Sequence, residues 1–267
     1  MKTTRVLFFL TLVAVVIGCS RIPISGRRQV NLLPESQMIG MSQQAYTDFL
    51  TASTPVTSSD RDAQMVKEVG EKIAVAVEQY LAENGQSKRV EGFDWEFQLV
   101  DDPTVNAWCM PGGKVVFYTG ILPICQDEKG LAVVMGHEIA HAVARHGNER
   151  MSQQLLIQAG GVTLAALISE KPQAAQNLFL TSYGVGSQLG SLSFSRQHES
   201  ESDKLGLVFM AMAGYNPAEA PLFWERMAAN GGAQPPEFLS THPNHDTRIN
   251  DLNEFMPEAL KYYTPGN

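Results

Sequence analysis

Two histidines four residues apart dominate any reading of this sequence. Gly136-His137-Glu138-Ile139-Ala140-His141 sits inside an apolar run containing Leu131, Val134, Met135, Ile139, Ala142 and Val143. That run repeats at helical spacing. On a helix, positions i and i+4 share a face one turn apart, so His137 and His141 can aim ring nitrogens at one cation. Glu138 lies about 100° round the axis from His137, outside direct ligation yet within reach of a water held by the ion. Three such polar groups on one apolar helix need buried partners. A catalytic zinc site takes three protein ligands and leaves a fourth position for water, so another segment must supply a third ligand.

The candidate segment is Ser195-Arg196-Gln197-His198-Glu199-Ser200-Glu201-Ser202-Asp203. Glu199 and Asp203 are again i and i+4, on one face. Glu199 can ligate while Asp203 hydrogen-bonds a ligand histidine from behind and fixes its tautomer. Glu201 is the competing carboxylate.

Together, His137-Glu138-x-x-His141 and Ser195-Arg196-x-x-Glu199-x-x-x-Asp203 resemble the HtpX and CAAX-prenyl-protease family of zinc metallopeptidases. The nearer likeness is to its branch of soluble periplasmic lipoproteins such as BepA and LoiP. Further segments carry the resemblance: Pro23-x-x-Gly26-Arg27-x-Gln29, Asn106-Ala107-x-x-x-Pro111-Gly112-Gly113, Tyr118-Thr119-Gly120-Ile121-Leu122, and Ser240-Thr241-His242-Pro243 with Arg248-Ile249. Ser202 departs from the alanine usual before the family's aspartate.

The resemblance implies a gluzincin fold and endopeptidase activity with one zinc ion on His137, His141 and Glu199. The family's spacing from Asp203 favours Glu199 over Glu201. Zinc polarises a carbonyl and acidifies a water, and Glu138 accepts the proton and returns it to the leaving amine. His242 and Arg248 are the expected donors to the oxyanion. In that branch the equivalent histidine can also cap the metal, so His242 is either a reversible fourth ligand or a transition-state donor. The strand 114–118, just ahead of the metal helix, is expected to offer an open sheet edge to an extended peptide.

The N-terminus reads as an address. Lys2 and Arg5 precede the apolar run Val6–Ile17, too short to span a bilayer and shaped like a secretory signal. Val16-Ile17-Gly18-Cys19 resembles a bacterial lipobox, which makes Cys19 the lipidated first residue, and Ser20 favours the outer membrane. The expected organisation is a signal peptide over 1–18, an arm from the anchor over 19–33 and a single metallopeptidase domain over 34–267. The expected location is the periplasmic side of the bacterial outer membrane. Polypeptides, outer-membrane proteins or their assembly machinery are the expected partners. A formal charge of −8 argues against nucleic acid. Cys109 and Cys125 are either a disulfide in an oxidising compartment or two buried thiols.

The coarse pattern is α+β and mostly helical, with a small antiparallel sheet beside the metal helix. Helices are expected over about 34–50, 58–84, 128–146, 148–168, 188–213, 216–230 and 246–255. Phe93, Trp95, Phe97 and Leu99 alternate with polar residues, as a strand with one buried face. Residues 105–109 and 114–118 flank Pro111-Gly112-Gly113 as a hairpin. A zinc endopeptidase of the cell envelope, cleaving misfolded or stalled proteins, accounts for these features. The competing reading is a chaperone-like assembly factor whose metal site is latent or silenced.

Overall fold

A computed structural model describes residues 19–159, 169, 171–185, 194–230, 237–242 and 247–265. The expected signal peptide, the end of the helix expected over 148–168 and the start of that over 188–213 lie outside the described residues.

The arm folds as a short antiparallel hairpin, β1 (Cys19–Arg21) with β2 (Arg28–Val30). Pro34 then starts α1 (Glu35–Ala52). Helix α2 (Arg61–Glu83) buries Val66, Val69, Ile73, Val77, Tyr80 and Leu81, the apolar face set by the helical period. Its cap is Asp60, which accepts from the N–H groups of Asp62 and Ala63. Gly85, at φ +67°, ends the helix in the left-handed region.

The sheet has three strands in the order β3-β5-β4: β3 (Glu96–Val100), β4 (Ala107–Met110) and β5 (Lys114–Tyr118). It is mixed rather than antiparallel throughout. The hairpin β4–β5 is antiparallel as expected, but β3 runs parallel to β5, with Glu96 opposite Lys114. The N–H groups of Asp94 and Glu96 donate to the carbonyls of Gly112 and Gly113, so β3 starts at the hairpin turn, at the same end as β5. This makes β5 the central strand. The expectation of an open edge at 114–118 is therefore wrong, and β4 is the edge beside the metal helix.

Short α3 (Leu122–Cys125) leads to α4 (Glu128–Ala144), capped by Asp127 and ended by Arg145 at φ +61°. There follow α5 (His146–Ala159), α6 (Pro172–Ser182), α7 (Arg196–Met212), α8 (Glu219–Ala229), α9 (Glu237–Thr241) and α10 (Arg248–Ala259). The sequence pattern did not reveal α6 or α9. The main core joins α2, α4, α7 and one face of the sheet, and a smaller cluster under α1 joins Met38 and Tyr46 to Trp108 and Phe179. No helix among the described residues is long and apolar enough to cross a membrane.

Cys109 and Cys125 are free thiols, so the disulfide alternative does not hold. Each is enclosed by the core on its own element, β4 or α3, and burial pushes both thiols up.

Candidate metal centre

Helices α4 and α7 meet where both lack a side chain. A Cβ on Gly136 would lie 2.9 Å from the Gly206 carbonyl oxygen, and one on Gly206 would lie 3.0 Å from the His137 nitrogen. This close crossing sets His137 and His141 on α4 against Glu199 and Asp203, which precede Gly206 on the same face of α7.

His137, His141, Glu199 and His242 converge, with one donor atom from each within 4.8 Å of all the others. The Nε2 atoms of His137 and His141 are 3.1 Å apart. Glu199 Oε2 is 3.5 Å from His137 Nε2, and Oε1 is 3.3 Å from His141 Nε2. His242 Nδ1 lies 3.2 Å from His137 Nε2 and 3.2 Å from Glu199 Oε1. Donors placed 2.0–2.1 Å from a tetrahedral zinc are separated by about 3.3 Å. Three imidazoles and a carboxylate at these separations fit that ion in both spacing and chemistry.

The supports behind the donors are as ordered as the donors. Asp203 Oδ1 lies 2.9 Å from His137 Nδ1 and leaves Nε2 to face the centre. Arg248, in the first turn of α10 and fully buried, donates to Glu199 Oε2 at 3.1 Å and to Asp203 Oδ1 at 2.6 Å. Its guanidinium carbon lies 3.2 Å from the centre of the Trp224 ring. Arg248 therefore lies on the far side of the carboxylates, and its expected role as an oxyanion donor is corrected to that of a clamp on Glu199 and Asp203.

Glu138 is buried, with Oε1 3.4 Å from His242 Nε2. Burial raises its carboxyl pKa, opposed by His242 and His137. Burial lowers the imidazole pKa of His137, but Asp203 and Glu199 outweigh it and raise the value to about 9. Burial holds His141 well below the usual imidazole range. Burial pushes the Glu199 carboxyl up, but the surrounding imidazoles hold it well below the carboxylate range.

Sequence reasoning placed His137, Glu138, His141, Glu199, Asp203 and His242 in one site, and the fold brings all six together. It left the state of the fourth position open; in this conformation His242 fills it. Glu201 turns away from the centre towards Arg27 and His146. His146 and His198 are buried and face Glu201 and Glu149.

The family model described as peptidase family M48 matches residues 61–256, a span that includes all four donors. The chain belongs to peptidase family M48. Among its M48 relatives, the mitochondrial metalloendopeptidase OMA1 of Schizosaccharomyces pombe is 34% identical over 240 residues, covering 89% of this chain and 66% of its own length. Human OMA1 is 30% identical over 248 residues, covering 90% of this chain and 46% of its own length. The beta-barrel assembly-enhancing protease of Escherichia coli is 32% identical over 177 residues, covering 62% and 36%. The chain thus spans between about a third and two thirds of the length of these relatives.

Proposed function

We propose that this M48 chain is a zinc-dependent endopeptidase of the lipoprotein branch, tethered through Cys19 to the periplasmic side of the bacterial outer membrane. Its proposed substrates are misfolded or stalled envelope polypeptides. The observation that carries the catalytic part is the convergence of His137, His141 and Glu199 on one point, with buried Glu138 beside it. Mitochondrial relatives named as metalloendopeptidases and a bacterial one named as a protease support the reaction class. The apolar run ending in Val16-Ile17-Gly18-Cys19 supports the tether.

His137, His141 and Glu199 would hold the zinc, which when bound supplies Lewis acidity for a carbonyl and a water. Glu138 takes the proton of the attacking water at its carboxylate and passes it to the leaving nitrogen, a transfer helped by a carboxyl pKa raised towards the working pH. Asp203 fixes the His137 ring, and Arg248 fixes both Asp203 and Glu199. An extended peptide would pair along the edge strand β4.

A second reading, a latent site on an assembly factor, is favoured by one observation. His242 occupies the position that a water would need, and a site closed by four protein ligands is not catalytic. The segment carrying it is tied down on both sides: the Phe238 N–H donates to Val105 O, and the Phe194 N–H donates to Thr241 O. The two readings are compatible if His242 is a latch that leaves before substrate enters.

The test is proteolysis of an unfolded substrate such as casein by the zinc-loaded protein. A chelator and Glu138→Gln should each lower the rate by about a hundredfold or more, and His242→Ala should raise it. Activity that survives both chelation and Glu138→Gln refutes the mechanism. A rate unchanged or lowered by His242→Ala refutes the latch. Full rescue of a deletion strain by Glu138→Gln would favour the assembly-factor reading.

A further inference from the structure

His137 has its supporting carboxylate in direct contact, whereas His141 does not. His141 Nδ1 instead lies 3.0 Å from Nδ1 of His146, which opens α5 just beyond the turn at Arg145. His146 Nε2 lies 3.2 Å from Glu201 Oε2. Ser25 Oγ donates to Glu201 Oε1 at 2.7 Å, and Arg27 donates to the same carboxylate from Nε at 2.9 Å and Nη2 at 3.0 Å. Through Nη1 and Nη2, Arg27 also grips Glu149 on α5 at 2.7 and 2.8 Å. One guanidinium from the N-terminal hairpin thus bridges α5 and α7 beside the metal centre.

Tautomers can be assigned along this chain from one end to the other. A nitrogen that ligates a metal presents a lone pair, so His141 Nε2 is bare and Nδ1 carries the hydrogen. His141 Nδ1–H then donates to His146 Nδ1, which must be bare, and His146 Nε2–H donates to Glu201. Arg27 and Ser25 both donate to the Glu201 carboxylate, which has lone pairs left to accept from His146 as well. Each group has one compatible role, and reversing either ring breaks a bond. The hairpin is also held under strain to present these residues. Ile24, a β-branched residue, sits at φ +66° between β1 and β2, a conformation that persists only where its surroundings enforce it.

We propose that Arg27 is a positioning residue for the metal centre, acting through Glu201 and His146 to fix the ring and tautomer of His141. The hairpin is then part of the support of the site as well as a connection to the anchor. The relay does for His141 what Asp203 does for His137, at a distance of two further side chains. Supports of this kind change metal affinity by 10- to 100-fold when removed.

The proposal rests on the metal-site reading, and one titration separates the two. The full chain is titrated with zinc ions against a chromophoric chelator, and its melting temperature is read with and without zinc. Arg27→Gln should hold zinc at least tenfold more weakly than the wild type, and Arg27→Lys should recover part of the loss. Asn148→Ala is the control for docking alone, since Asn148 Nδ2 donates to the Leu33 carbonyl and takes no part in the relay. It should lower the melting temperature and leave zinc affinity unchanged.

If Arg27→Gln does not fold, Glu201→Gln gives the same readout. Wild-type affinity in the Arg27 or Glu201 variant, or a loss no greater than that of Asn148→Ala, overturns the relay while the site stands. Failure of the wild type itself to bind zinc overturns both.

Discussion

Glu149 shows how much of this molecule turns on single buried carboxylates. Burial raises its carboxyl pKa, but hydrogen bonds from Arg27 and His198 outweigh that and hold it well below the carboxylate range. A folded-state value below the unfolded one contributes stability that is fully present above the unfolded pKa of about 4.5, and lost as the pH falls below it. Glu149→Gln should therefore cost on the order of 2 kcal/mol at neutral pH. The gap to the wild type should narrow as the pH falls below about 4.5. Thermal melts across pH 3–7 with a chelator present check this, and a gap independent of pH would contradict it. Residues of this kind were hard to foresee. A histidine or glutamate outside a motif gives no sign in sequence of what faces it, so His146, His198 and Glu149 became legible only once three helices and a hairpin were placed. His137 with His141, and Glu199 with Asp203, were legible because each pair shares one helix face, where i and i+4 fix the geometry locally.

Among the elements, the α4–α7 crossing has the tightest tolerance. Its two glycines let the helix backbones approach until a Cβ on either would press on the other. Gly206→Ala has only backbone to meet, the His137 nitrogen at 3.0 Å, so α7 must move off α4 and carry Glu199 away from His137 and His141. Overpacking of this sort costs about 1–3 kcal/mol. The expected result is a lower melting point together with weaker zinc binding, and unchanged zinc affinity would show that the crossing does not set the ligand spacing. The sequence announced both helices by their period, but not that two glycines would meet. Strand order was hidden for a related reason. Alternation marked residues 93–99 as a strand, yet its parallel run beside β5 depends on bonds from Asp94 and Glu96 to Gly112 and Gly113, between segments that periodicity treats separately. The family resemblance of its segment singled out Arg248 but not the direction of its side chain, because the Trp224 face that receives it comes from α8.

At the scale of the whole molecule, fewer than ten residues separate Cys19, the proposed point of tethering, from Arg27, which bridges α5 and α7 beside the candidate metal centre. Strand β1 begins at Cys19, and Arg27 closes the hairpin against α5 and α7. If Cys19 is acylated, as the lipobox resemblance implies, Cys19→Ser should move the protein from the membrane to the soluble fraction. With the hairpin still seated, its zinc affinity should remain that of the wild type. A variant that stays with the membrane would refute the tether. The hairpin also has a consequence for synthesis. Arg27 is translated 122 residues before Glu149 and 174 before Glu201. In a nascent chain the hairpin can therefore bond α5 before α7 has been made, but a product truncated ahead of Glu201 carries the His-Glu-x-x-His helix without the brace proposed to set its second histidine. Synthesis through α7 is in this way a precondition for a fully braced metal centre.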